Sequence, residues 1–336
     1  MIKKIEYNFC VKNVIVIVCV LLGSFIGAGF ISGKEIATFF TQFGWVSVIT
    51  SLLACAIIAV NIYIEFNRNS SYNDGKLSKI TNLCYYLCSF VVATAMLAGL
   101  FKLSFIIFSG AVAAIVSGLI IAICFILIVK GITSLSKINV VFIFLAVTLI
   151  IIICCQTIKN GDTALLETRN VAGGFLFGLV YAGMNSLTII PVTRLLKNKI
   201  KQKAEAKSVA ILFFIVSGSL ILGINLIVSS KTSMPMLDAA ASVGGVVKVL
   251  YIVAIFMGLI TSLLSTSIVV KEKIKLKLKD NFVSSSIVLA TTLVVSTIGF
   301  DSVVELLYPI IGVIGMVIVM VDNIYAQIKN RKIYKK

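Results

Sequence analysis

The chain has 336 residues, of which 60% are hydrophobic and only 13% charged, with a mean hydropathy of +1.11. A soluble domain is about half apolar and about a quarter charged, so composition excludes a single water-soluble core and points to an all-α polytopic membrane protein. The net charge of +17 would suggest nucleic acid on a soluble surface, but here the basic residues stand in short loops between apolar runs, so no nucleic-acid partner is expected.

Ten membrane spans are predicted, with approximate limits 13–43, 45–65, 81–101, 107–129, 137–156, 172–196, 208–229, 246–269, 283–299 and 304–324. The N-terminal lysines and the apolar stretch after them could mimic a signal peptide. No small-residue cleavage site closes that stretch, and it reads as a retained first span.

Inside that span, Gly23 to Ile36 reads GSFIGAGFISGKEI. Glycine in a helix interior costs about 1 kcal/mol relative to alanine, and Gly27, Gly29 and Gly33 stand close together. Their GxxxG spacings would also suit close helix packing. Packing alone has no use for Ser24, Ser32, Lys34 and Glu35, because a charge near the bilayer centre costs at least about 2.5 kcal/mol on insertion scales. The span is therefore expected to unwind at mid-membrane. Glu35 is read as a proton carrier or as a brace for the break.

Between spans three and four, only Lys102 and Gly110 interrupt the apolar run. Tyr85 and Tyr86, at the start of span three, read as interfacial belt tyrosines. Span six carries a second interruption, Tyr181-Ala182-Gly183-Met184-Asn185-Ser186, followed by Pro191, and is also expected to unwind. KEKIKLKLKD, Lys271 to Asp280, reads as a loop lying on anionic headgroups.

With the N-terminus inside, every Lys and Arg except Lys34, Lys102, Lys159, Arg169, Lys231 and Lys248 falls on the inner side. That satisfies the positive-inside rule segment by segment and predicts a multi-pass protein of the cell membrane with both termini cytoplasmic. Spans one and six are matching members of two five-span halves, about 13–156 and 172–324, within one transmembrane domain. Because five is odd, the halves are inverted. Paired interrupted spans in inverted halves mark the binding site of a transporter. Half-helix N-termini there hold a carboxylate, and freed carbonyls hold a cation.

GAGFISGKEIATFFTQFG closely resembles the first-helix signature of the YkvI-like bacterial membrane proteins. Weaker likeness continues through MPML at Met234–Leu237 and LITS in span eight. That family resembles a branch of the amino acid–polyamine–cation superfamily, with the five-plus-five LeuT-type fold. The resemblance implies that Gly27, Ala28 and Gly29, with Ser24 just before them, bind a substrate carboxylate. It places Tyr181, Ala182, Gly183 and Asn185 across from them on span six. It implies a sodium site from the carbonyls of Gly23 and Ile26 and the hydroxyls of Thr261 and Ser262. Some relatives carry a lysine midway along span five in place of that sodium; here Lys137 sits at the inner end instead. It also implies an outer closure between Lys34 and an acid at the start of span ten, Glu305 in preference to Asp301.

No P-loop is present, so ATP does not drive the protein directly. With no histidine, no CxxC among the eight cysteines and no nucleophile–base pair, neither an enzyme nor a resident metal or cofactor is expected beyond sodium or a proton as coupling ion. Two readings stay open: a symporter of an amino acid or similar small zwitterion, and a transporter-fold nutrient receptor of the germinant-receptor type that moves nothing. The bilayer and a small molecule are the expected partners.

Overall fold

The computed structural model describes residues 11–68, 76–160, 170–228 and 234–333, and among them the regular structure is helical. The first predicted span is four pieces: α1 (Val11–Phe25), α2 (Ala28–Ile31), α3 (Lys34–Phe39) and a 3-10 turn at Thr41–Phe43. There follow α4 (Val46–Phe66), α5 (Lys76–Ile107), α6 (Gly110–Lys130), α7 (Ile132–Lys159), α8 (Val171–Leu196) and α9 (Lys203–Ile227). A short α10 (Pro235–Val243) precedes α11 (Gly245–Leu278), α12 (Asn281–Ser296), α13 (Phe300–Ser302), a π-helical turn Val303–Leu307 and α14 (Tyr308–Ile333).

Each of the predicted spans overlaps helical residues, the first of them in pieces. Eight helices among the described residues are long and apolar enough to cross a membrane, and two shorter apolar ones, Val11–Phe25 and Asn281–Ser296, join them. The apolar run between spans three and four divides after Ile107, with Ser109 in extended geometry and Gly110 at φ 49°. On α6, Ile115, Leu119, Ile123 and Ile126 are exposed while Ala113, Ser117, Cys124 and Ile128 are buried. Such a stripe at helical spacing turns one face outward to an apolar solvent and the other to the bundle.

The first span breaks as expected. The amide of Gly27 turns back to the Phe25 carbonyl at 2.9 Å, two residues away, instead of reaching Gly23. A second break at Ser32–Gly33 depends on glycine, since Gly33 has φ 81°. Irregular backbone in a membrane survives only when its polar groups are satisfied by protein or a watery cavity. Here Tyr251 donates its hydroxyl to the Ile31 carbonyl at 2.6 Å, and the Met236 amide reaches the Ser32 carbonyl at 3.0 Å. Met236 lies in the first turn of the short helix α10, so the MPML stretch has a physical task at this break.

The sixth span does not unwind. Helix α8 runs from Val171 to Leu196 with Pro191 inside it. Its polar residues satisfy themselves along the helix: Asn185 donates to the Tyr181 carbonyl at 3.1 Å, and Thr188 donates to the Asn185 carbonyl at 2.9 Å. Its mid-span glycine serves packing. A Cβ on Gly183 would fall 2.4 Å from the Gly312 carbonyl oxygen and 2.5 Å from the Met316 amide nitrogen. The small residues of α8 thus let it press against the backbone of α14.

Candidate functional site

The break in the first span leaves the Gly23 carbonyl without its helical donor. The hydroxyl of Ser262, on α11, donates to it at 3.0 Å and also reaches the Ile26 carbonyl at 3.1 Å. Thr261 reaches the Gly23 carbonyl at 3.5 Å and the Gly258 carbonyl at 3.1 Å. Both hydroxyl residues are fully buried. The four residues expected at an ion site are therefore gathered at one point, as neutral oxygens around the broken helix.

Beside them lies a small cavity lined by Ser24, Gly27 and Glu35 from the broken span, Val92 and Met96 from α5, Met184, Asn185 and Thr188 from α8, Ser262 and Tyr308. It has room for the centre of a water-sized sphere over about 20 Å³, enough for a water and not for an amino acid in this conformation. Glu35 is 3% exposed and faces the Tyr181 hydroxyl and the Asn185 amide. Its Oε1 and the Tyr181 hydroxyl oxygen have no hydrogen-bond partner within 3.5 Å. Tyr181 is held by rings on three sides, Phe25, Phe39 and Phe40, with the Phe40 ring centre 4.8 Å away.

Two residues of α8 expected here lie elsewhere. Ala182 and Gly183 line a separate cleft with Asn61, Ser186 and Met316, because an unbroken helix turns successive residues to different sides. Gly29 meets the site differently than expected: a Cβ there would fall 2.6 Å from Glu35 Oε2, so this backbone is already faced by the chain's own carboxyl. Ala28 is placed in α2 by its backbone alone.

At one end of the bundle Lys34 and Glu305 form an ion pair of 3.0 Å, their side chains 17% and 52% exposed. Glu305 lies in the π-helical turn, whose extra residue per turn widens the helix at that point. Asp301 lies outside the described side chains.

At the opposite end is a buried network that sequence reasoning missed. Arg68 pairs with Asp322 at 2.6 Å and Glu65 at 3.1 Å; Arg194 pairs with Glu65 at 2.9 Å and Asp322 at 3.2 Å. Tyr85 and Thr81 donate to Asp322 at 3.0 and 3.2 Å, and Arg194 also donates to Asn82. Two arginines and two carboxylates thus neutralise one another where α4, α5, α8 and α14 meet. Tyr85 is no belt residue: it is 1% exposed and lies beneath the Arg194 guanidinium. The available signal was Asp322, an acid near the inner end of a predicted apolar span.

No family model and no curated protein matches the chain. Among solved structures, it is similar to MhsT in complex with L-phenylalanine, with a TM-score of 0.65 at 13% identity over 90% of this chain and 87% of that chain. It is also similar to a mutant of the Eremococcus coleocola manganese transporter, with a TM-score of 0.60 at 12% identity over 94% of this chain and 78% of that one. The same transporter with an aromatic bis-isothiourea substituted compound gives a TM-score of 0.55 at 13% identity, over 93% and 76%. These likenesses show the fold alone: the chain has the helical architecture of these structures, of the LeuT type. They carry nothing about the narrower YkvI-like family.

Proposed function

We propose that the chain is a secondary transporter that moves an amino acid or similar small zwitterion by alternating access. In this reading residues 13–156 and 172–324 are two inverted halves of one domain, and the basic loops face the cytoplasm with both termini. The observation that carries it is the broken first span, whose freed Gly23 carbonyl meets the hydroxyls of Thr261 and Ser262 on another helix. A donor set of neutral oxygens suits a monovalent hard cation, and sodium would take up the carbonyl lone pairs that the hydroxyls now occupy. Glu35 offers the alternative coupling, by a proton. The substrate lies between the break and the flank of α8, against Ser24, Gly27, Ala28, Gly29, Tyr181 and Asn185. The Lys34–Glu305 pair closes the outer side and the cluster around Asp322 closes the inner side.

Uptake of labelled amino acids into proteoliposomes, with sodium and pH gradients imposed separately, tests the reading. Sodium-driven uptake lost in Ser262→Ala is the expected result. Sodium-independent uptake abolished by Glu35→Gln would move the coupling to the proton.

The continuity of α8 gives the receptor reading its footing, since only one side of the site is irregular backbone. Saturable binding with no uptake of any panel member would establish that reading instead.

A further inference from the structure

The cavity beside the break is rich in acceptors and holds no cationic donor among its lining residues. The hydroxyl proton of Ser24 is given to the Val20 carbonyl, that of Thr188 to the Asn185 carbonyl, and that of Ser262 to Gly23 and Ile26. One amide N–H of Asn185 is given to Tyr181. The hydroxyls of Ser24, Thr188 and Ser262 therefore turn lone pairs to the cavity, while the second amide N–H of Asn185 and the Tyr181 hydroxyl face Glu35 as neutral donors. The lining holds two thioethers, Met96 and Met184, and the rings of Phe25 and Tyr308, but no lysine or arginine. The one charged group is Glu35, 3% exposed, with Oε1 unpartnered. A buried carboxylate without a cation is costly. Glu35 also places its carboxyl against the Gly29 backbone, where a second carboxylate would be repelled.

We infer that this cavity selects its substrate by a free ammonium group, which pairs with Glu35, and that a carboxylate on the substrate is dispensable. An ammonium brings three donors and a charge, matches the lone pairs, and is favoured by ring faces. A multivalent metal is a poorer match, because among the described residues no cluster of three or more Asp, Glu, His or Cys side chains is present. The inference rests on the transporter-type reading of this cavity and names the substrate class, small primary amines with or without a carboxylate.

Thermal-shift binding to the detergent-solubilised full chain tests it without a gradient. The probes are the standard amino acids, the amines left by removing their carboxylates, their N-acetyl forms, and manganese chloride. The expected result is binding by at least one amino acid and its matching amine, none by N-acetyl forms, and a loss of about 100-fold in Glu35→Gln. Glu35→Asp, which keeps the charge, should keep the amine preference at weaker affinity. Equal binding of N-acetyl forms, failure of the amines, binding of manganese alone, absence of any binding, or an unchanged Glu35→Gln overturns the inference. Amine binding without uptake would overturn the transport reading and leave this one standing. Uptake of N-acetyl forms would do the reverse.

Discussion

The first and sixth spans carry similar words and come to different ends. Gly27-Ala28-Gly29 and Ala182-Gly183-Met184-Asn185 each set glycine and polar residues in the middle of an apolar run, yet the first unwinds and the second stays whole. The difference lies in who satisfies the backbone. Around the first, outside donors stand ready: Ser262 for Gly23, Tyr251 for Ile31 and the Met236 amide for Ser32. Along the second, Asn185 and Thr188 return their donors to the same helix, and Gly183 has backbone pressed against it. Helix breaking is thus a property of the neighbours as much as of the glycines. An interrupted helix needs partners for its freed groups, and an intact one needs room for its contacts.

Changes to the two spans and their supports should separate these roles. The largest effect is expected at the far end of the unbroken helix. Asp322→Ala leaves Arg68 and Arg194 sharing one carboxylate in a buried site, and should cost about 3–5 kcal/mol, read as a large fall in melting temperature. Next, Gly183→Ala should cost about 1–3 kcal/mol because its Cβ meets main-chain atoms that cannot turn aside. Gly27→Ala should cost far less, because its Cβ meets the flexible end of Met96 at 3.3 Å. Equal losses from these two alanines would abolish the distinction between a packing glycine and a breaking one. Ser262→Ala should cost about 1–2 kcal/mol by stranding the Gly23 and Ile26 carbonyls, and should remove any stabilisation by sodium. The smallest effect is expected at the half-exposed pair: Lys34→Gln or Glu305→Gln should change stability by under about 1 kcal/mol. Each should instead make the cavity more accessible from that end, measured by labelling of a cysteine placed at Ser24. Unchanged labelling in both would remove the gate role.

The helical class and the segment positions were legible because apolar runs, glycines and loop charges are local signals. The first break was legible for the same reason, whereas the pairing of Lys34 with Glu305 was reached through family resemblance. Thr261 and Ser262 were reached through family resemblance, since hydroxyls on a helix commonly bond back to their own carbonyls. The wholeness of α8 was not legible, because the contact of Gly183 with Gly312 and Gly315 depends on which face α14 presents. The network around Asp322 escaped for a related reason. Arg68 and Arg194 counted as ordinary inner-side charges, and Asp322 lies 254 positions from the arginine it binds most closely.

The link between Met236 and Ser32 has a mechanical consequence. Ser32 belongs to the stub beyond the first break, and Met236 belongs to α10, whose far end at Ala241 and Ser242 is exposed. Any swing of the stub must either drag this small helix along or surrender the bond between them. A dye attached at Ser242 would therefore act as a pointer on a dial, registering from outside the bundle how far the hinge beside the cavity has turned.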